Sequence, residues 1–511
     1  MTDRRYRINK YGDGKLYGAS DTRDALAWDI SIDWDDNGIF DANEANLLAS
    51  VNVQRGRTRL LQPIGQGFES IPTGKAVIAL RNEDGRFDGW NTSSPLYPNV
   101  GYDKNVRIRV RDLNQTNAIY PLFSGTITDV VPVGYGEDAK VMIHISDGLE
   151  LLRNTVARVA IQQDITPDEA IGMILDSVSW PAAWDRSLDV STETIPYWWA
   201  SGGKQAMSQI EDLATSFLGY FFADAQGRAR FIKRSSVSGA VASYEQTYLS
   251  KDIGNPQPYD LLRNITRVKV HPRTASATTT IYTLIGTPYV LPGAANSQKF
   301  FASYTYNNES VPAQNVVISL FQANTQSDFS GTDQTSSCVA TLTDFGDSGL
   351  VEVVNNSAGL VYIRVELDGN AIYEPNVSDV TYPSDISTVQ KPRELVLDLP
   401  WQQDINVAVD ISNVLGSFYS GLHPMPNVKL ENQPALQFLP ELFDIVTADV
   451  PYIGLTGVSF RVGGIEHQTD SQFENCQNVQ TRLFLEPYVS ADDFMQWDTA
   501  SVWDTDTVFG Y

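Results

Sequence analysis

The sequence predicts a mainly β protein with a small α+β domain and a small β-sandwich inserted into its second β region. Three observations lead there. Val106, Ile108 and Val110 alternate with Arg107, Arg109 and Arg111, a period of two that places apolar groups on one face of a strand and guanidinium groups on the other. Helical spacing is confined to a few stretches, such as Ala170, Ile171, Ile174 and Leu175. Between 308 and 378, short alternating segments recur at even spacing, separated by Gly, Asp, Asn and Ser, as in a sandwich.

Taken in order, residues 1–150 read as strands (Ala27–Ile32, Lys75–Leu80, Val106–Arg111, Leu122–Val131, Lys140–Ser146) parted by turn material such as Asn82-Glu83-Asp84-Gly85, which makes one antiparallel sheet or small barrel. Residues 151–235 form the α+β domain. Thr166-Pro167-Asp168-Glu169 has an N-cap, a proline at the first helical position and acids in the first turn. A second helix covers Lys204–Leu218, and Tyr220–Ala223 with Ala229–Lys233 makes a hairpin about Asp224-Ala225-Gln226-Gly227. A second β region spans 236–307 and 379–488, interrupted by the sandwich at 308–378. It contains Ile265–His271, Thr278–Leu284, Lys299–Tyr306, Arg393–Leu399, a helix at Asp404–Phe418, and strands near Phe443–Ala448, Ser459–His467 and Thr481–Leu485. The tail 489–511 is acidic and carries Trp497, Trp503, Phe509 and Tyr511.

With 37 basic and 62 acidic side chains, the 511-residue chain has a formal charge of −25. A nucleic-acid binder that neutralises phosphates needs the opposite balance. Residues 1–273 hold 30 basic and 34 acidic groups, and residues 274–511 hold 7 and 28, so nearly all the acidity is in the second half. Cys338 and Cys476 sit in no metal-ligand spacing and imply no disulfide framework. The N-terminus lacks the apolar core of a signal peptide, and no stretch approaches the ~18 apolar residues of a membrane span, so a soluble protein made without a secretion signal is expected.

The sharpest motif is Asp33 to Glu44. Asp33, Asp35, Asn37 and Asp41 supply oxygens at the first, third, fifth and ninth positions, Gly38 permits a sharp turn, the Ile39 carbonyl supplies the seventh ligand and Glu44 closes the loop, the pattern of a structural Ca2+ site. Because Leu26–Ile32 reads as strand, this is no helix-loop-helix sensor; the alternative is an Asx-type turn that needs no ion. Gly346-Asp347-Ser348-Gly349 matches the nucleophile motif of trypsin-like proteases, but Leu350-Val351 depart from it and a β-turn is preferred. Nothing assigns one of the four histidines as its base. Trp198-Trp199 suit either a sugar platform or buried packing, the latter preferred. Arg55, Arg57 and Arg59 with Arg107, Arg109 and Arg111 suit either a polyanion strip or a strand face paired with acids, again the latter preferred.

Ile32–Gly38, Arg55-Gly56-Arg57, Asn82–Phe87, Ser93–Tyr97, Val106–Arg109, Leu122–Gly125, Gly203–Gly219, Asp224–Arg234, Arg393-Glu394-Leu395, Leu399-Pro400-Trp401 and the Trp-rich end occur in the order seen in minor tail proteins of long-tailed bacteriophages. The chain resembles that family, the baseplate hub or tail-tip proteins, over essentially its whole length. The resemblance implies a structural virion protein, not an enzyme, with two tube-like β-barrel domains per chain. It further implies a homotrimer assembled in the host cytoplasm that closes the tail tube. Its partners would be tube or distal tail proteins, the tape-measure protein, tail fibre or central tip proteins and the host cell surface, with DNA as passing cargo during genome ejection. The acidic second half would then form channel wall or outer surface. Rival readings are a glycan-degrading tail enzyme and a carbohydrate-binding adhesin acting through the sandwich.

Overall fold

In the computed structural model the described residues are 26–488, apart from 41, 58–70, 114–117, 234–235, 237–238, 250–261, 285–287, 294–296, 376–377, 385–388, 390, 422, 432 and 470–478. Arg59, Asp41, Cys476 and the acidic tail 489–511 therefore lie outside them.

The chain opens with β1 (Leu26–Ile32), β2 (Leu48–Gly56), β3 (Lys75–Arg81), β4 (Asn105–Asp112), β5 (Ala118–Val133) and β6 (Lys140–Ser146). They pair antiparallel in the order β2-β3-β6-β5-β4-β1. Alternation is the cause: Ile30, Ile32, Val106, Ile108, Val110, Ile143 and Ile145 point to one side and are fully buried, or nearly so, in a core with Phe87 and Phe123.

Three helices follow: α1 (Leu149–Asn154), α2 (Pro167–Ser177) and α3 (Ala206–Ser216). The helix start expected at Thr166 is formed, with the Glu169 carboxylate accepting the Thr166 N–H at 3.1 Å and Pro167 in the first turn. These helices pack with the two-stranded sheet β7 (Val159–Ile165) and β8 (Ile195–Ala200), and with the hairpin β9 (Tyr220–Ala223) and β10 (Ala229–Ile232). Neither β7 nor β8 stands out from the sequence, since Gln162, Gln163 and Asp164 interrupt the alternation of one.

After β11 (Ala242–Glu245), β12 (Ile265–Val270) leads out to the inserted sandwich. One of its layers centres on β18 (Val361–Tyr373), flanked by β13 (Thr279–Thr283) and β15 (Ala313–Asn324). The other is β14 (Gln298–Ser303), β17 (Ser348–Asn355) and β16 (Cys338–Asp344). The boundary expected at 308 is thus corrected: Thr274–Ala275, β13 and Tyr289–Val290 all pair with β18, and β14 pairs with β17. These are sandwich strands, because their buried side chains, Ile281, Val290 and Ala302, belong to the sandwich core.

The chain returns through β19 (Ser378–Tyr382) and β20 (Glu394–Leu399), which flank β12 in a three-stranded sheet. This sheet is covered by α4 (Ile405–Tyr419), capped by Asp404, whose carboxylate accepts the Asn406 N–H at 2.8 Å. The final strands are β21 (Asn427–Glu431), β22 (Ile445–Val450), β23 (Leu455–Thr469) and β24 (Val479–Pro487). The fifteen-residue β23 takes β22 along its first half and β2 along its second, with β24 on its other edge. Opening and closing β regions are thereby joined in one 12-stranded sheet.

Candidate functional site

The join is the ladder of Asn52–Gly56 with Gly464–Gln468, and Arg55-Gly56-Arg57 stands at one end of it. Gly464 lies opposite Gly56 in register and Glu466 opposite Gln54. Gly56 has φ +68°, and a Cβ there would stand 2.5 Å from the Gly463 carbonyl and 2.6 Å from Leu442 Cδ2. Only glycine allows that close approach of two backbones. Arg57 donates its N–H to the Gly463 carbonyl at 2.8 Å, and its Nη1 reaches both oxygens of Glu486, at 2.9 and 3.1 Å.

Arg55 is 3% exposed and its Nη1 lies 2.5 Å from Glu441 Oε1. Glu441 Oε2 accepts the Ala225 N–H at 2.8 Å, so the turn of the β9–β10 hairpin docks on the same carboxylate. Ser124 Oγ of β5 donates to the Ala225 carbonyl at 3.2 Å. First β region, α+β domain and second β region therefore meet at one point. Two buried groups sense Arg55. Asp147 accepts the N–H groups of Gly74 and Leu149 at 2.7 and 3.0 Å, yet burial drives its carboxyl up to about 7, against the pull of those bonds and of Arg55 and Arg153. Burial, assisted by Arg55, pushes the His467 imidazole down to about 3, and its Nδ1 lies 2.9 Å from Thr481 Oγ1.

The Asp33–Glu44 loop has the expected shape but a different use of its oxygens. Asp33 accepts the N–H groups of Asn37 and Gly38 at 3.1 and 2.9 Å, and Gly38 has φ +81°. The Asn37 side chain donates to Asp35 at 2.7 Å and accepts the Ile39 N–H at 2.7 Å. Glu44, 4% exposed, faces Arg86 at 3.2 Å and Trp34 Nε1 at 3.3 Å. Among the described residues, which exclude Asp41, no three His, Cys, Asp or Glu side chains are placed to hold a metal ion. In this arrangement the Arg86 guanidinium supplies positive charge to Glu44.

The other candidates are resolved by contacts. Arg109 pairs with Asp29, directly opposite it in register, at 2.5 Å, and Arg107 stacks 3.7 Å over Phe40, whereas Arg111 is exposed, so two of the three guanidinium groups on this face are engaged within the chain. Trp198 is 1% exposed, and Trp199 meets Trp401 edge to face at 4.9 Å, which is packing. Gly346–Gly349 spans the β16–β17 turn and the first two residues of β17. Ser348 Oγ donates to Asp347 at 2.9 Å, Asp347 accepts Ser201 Oγ at 2.8 Å, and a Cβ on Gly346 would meet Trp199 Cβ at 3.2 Å. The motif docks the sandwich on the α+β domain. Sequence reasoning missed Glu441, Glu486 and Gly463; the signal for the last was a Gly-Gly pair inside a strand pattern, which marks a bulge or close approach.

No family model matches the chain, and no curated protein matches it. Among solved structures, the chain is similar to a tail protein of prophage MuSo2 from Shewanella oneidensis (10% identity, TM-score 0.48, covering 91% of this chain and 99% of that one). It is also similar to a tail protein from Neisseria meningitidis MC58 (8%, 0.48, 92% and 99%) and to a prophage tail protein from Listeria monocytogenes EGD-e (8%, 0.43, 89% and 94%). Likeness at this level fixes neither function nor partners.

Proposed function

We propose that this chain is a structural protein of a bacteriophage-type tail, a hub at the tail tip. The observation that carries the reading is the joining of two β regions edge to edge in one chain through Arg55-Gly56-Arg57, a motif within the ordered set by which the sequence resembles tail-tip hubs. A chain with two such units suits the end of a tube, where a homotrimer presents six of them around a channel. The hub closes the tube, bears fibre or central tip proteins toward the host surface, and lets tape measure and DNA pass. The acidic second half lines or surrounds that passage, since like charge keeps DNA from adhering. The buried Trp198 and the stacked Trp199 offer no open sugar platform for the glycan-degrading reading.

The test is imaging of assembled particles carrying a gold-labelled tag on the exposed Tyr135–Glu137 turn of this chain. Three labels at the tail end are expected. Label on the head, along the tube or absent from particles rejects the proposal.

A further inference from the structure

The inserted sandwich carries a short row of aromatic and guanidinium groups on the outside of one layer. Along β18, Val361, Ile363, Val365 and Leu367 are buried in the sandwich core, so strand alternation turns Tyr362 and Arg364 outward. Tyr289 lies opposite Tyr362 in register, is 50% exposed, and meets it edge to face at 6.5 Å. On the other flank the exposed Gln322 of β15 lies opposite Arg364, whose Cζ stands 4.4 Å from the centre of the Phe329 ring. Phe329 is held in place by its loop. The Asn324 side chain, 6% exposed, donates to the Phe329 and Gly331 carbonyls at 3.3 and 3.2 Å and accepts the Gln326 N–H at 3.0 Å.

The charge of Arg364 is not used within the sandwich. Among the described residues it has neither a hydrogen-bond nor an ion-pair partner, and the Phe329 ring is its one contact of an electrostatic kind. Thr274–Tyr373 holds eight acidic and two basic side chains, and the other base, Lys299, faces Glu352 at 3.8 Å. A guanidinium stacked on a ring keeps its edge N–H groups for an in-plane acceptor, and their fork matches one carboxylate. A polyanion needs several cations and would be repelled by the surrounding acids. Two positions back along the strand, about 7 Å away, the tyrosine pair offers an apolar face with hydroxyl tips. A sugar ring and its carboxyl group span that distance.

We propose that this face of the sandwich binds a carboxylate-bearing pyranose, a uronic or sialic acid unit of a glycan. The carboxylate takes the fork of Arg364, the C–H face of the sugar ring lies against Tyr289 and Tyr362, and the Gln322 amide reaches a ring hydroxyl. The proposal goes beyond the tail-tip reading and does not rest on it: label at the tail end without saccharide binding would leave that reading whole.

The test is saturation-transfer NMR on the full chain with three probes: methyl glucuronoside, methyl sialoside and methyl glucoside, which lacks only the carboxylate of the first. Saturation of an acidic glycoside is expected, with the glucoside about tenfold weaker or more, as for loss of a hydrogen-bonded charge. Which acidic probe binds tells uronic from sialic acid. Arg364→Gln is expected to weaken the acidic probe by a similar factor and Arg364→Lys, which keeps the charge without the fork, by less. Tyr289→Ala should weaken it several-fold, whereas Val339→Ser, exposed on β16 of the other layer, should not. All four positions are exposed, and unchanged melting shows that each variant is folded. Binding of neither acidic probe, equal binding of the glucoside, or wild-type binding by Arg364→Gln overturns the proposal.

Discussion

Arg55 and Glu441, separated by 386 residues in sequence, form a 2.5 Å ion pair across the join between the two β regions. Both are largely buried, so removal of one partner strands the other's charge in a poorly solvated place. Arg55→Met is expected to cost about 3–5 kcal/mol by urea denaturation. The double change Arg55→Met/Glu441→Leu should recover part of it, and a double that is additive would show that the pair is not coupled.

Gly56→Ala tests the backbone contact. The left-handed φ costs a side chain roughly 1–2 kcal/mol, and the new methyl would meet the Gly463 carbonyl, adding roughly 1–3 kcal/mol of overpacking. A thermal melt within experimental error of wild type would show that β2 and β23 separate freely there. Gly38→Ala, also at positive φ but with no atom within 4 Å of the added Cβ, should show the first cost without the second.

Asp147 and His467 titrate in opposite senses, and the signs can be worked out. The folded Asp147 holds its proton up to about 7 while the unfolded one loses it near 4, so its contribution is full below about pH 4 and is lost as pH rises to about 7. The folded His467 stays neutral down to about 3 while the unfolded one protonates below about 6.5, so its contribution is lost as pH falls through that window. Between about pH 4 and 6.5 the two slopes cancel. His467→Gln should expose a stability that falls with rising pH, Asp147→Asn one that climbs with it, each by up to about 1.4 kcal/mol per unit. Identical slopes in both variants would refute the assignment.

Melting of the wild type is expected to be indifferent to calcium and to chelator, because Arg86 already neutralises Glu44. Arg86→Ala leaves that buried carboxylate without its cation and should lower stability by about 3 kcal/mol. A calcium-dependent melting point in the wild type would show that the loop binds the ion despite Arg86.

Much of the local structure is legible because its causes are local. The helix start at Thr166–Glu169, the Asp404 cap and the alternation of Val106–Arg111 each need only a few neighbouring residues, and each appears where the spacing places it. The calcium-type pattern foretells the loop's turn at Gly38 but not its use, since Arg86 reaches Glu44 from 42 residues away. The sandwich starts before 308 for a similar reason: Thr274–Ala275 is two residues long, and only its partners Ile372 and Tyr373 identify it as sheet. The join itself is invisible from spacing, because what makes Arg55, Gly56 and Arg57 special is Glu441, Gly463 and Glu486.

The pairing of Gln54 with Glu466 spans 412 residues, which orders events on the ribosome. The β2 edge is translated early and waits for nearly the entire chain before its neighbour in β23 exists, and so does the guanidinium of Arg55. A nascent or prematurely terminated chain shows an open strand edge, the feature that chaperones hold and aggregates recruit. A full-length product covers it. The late strand is thus what closes that edge: only a molecule synthesised past residue 469 has β23 in place along β2.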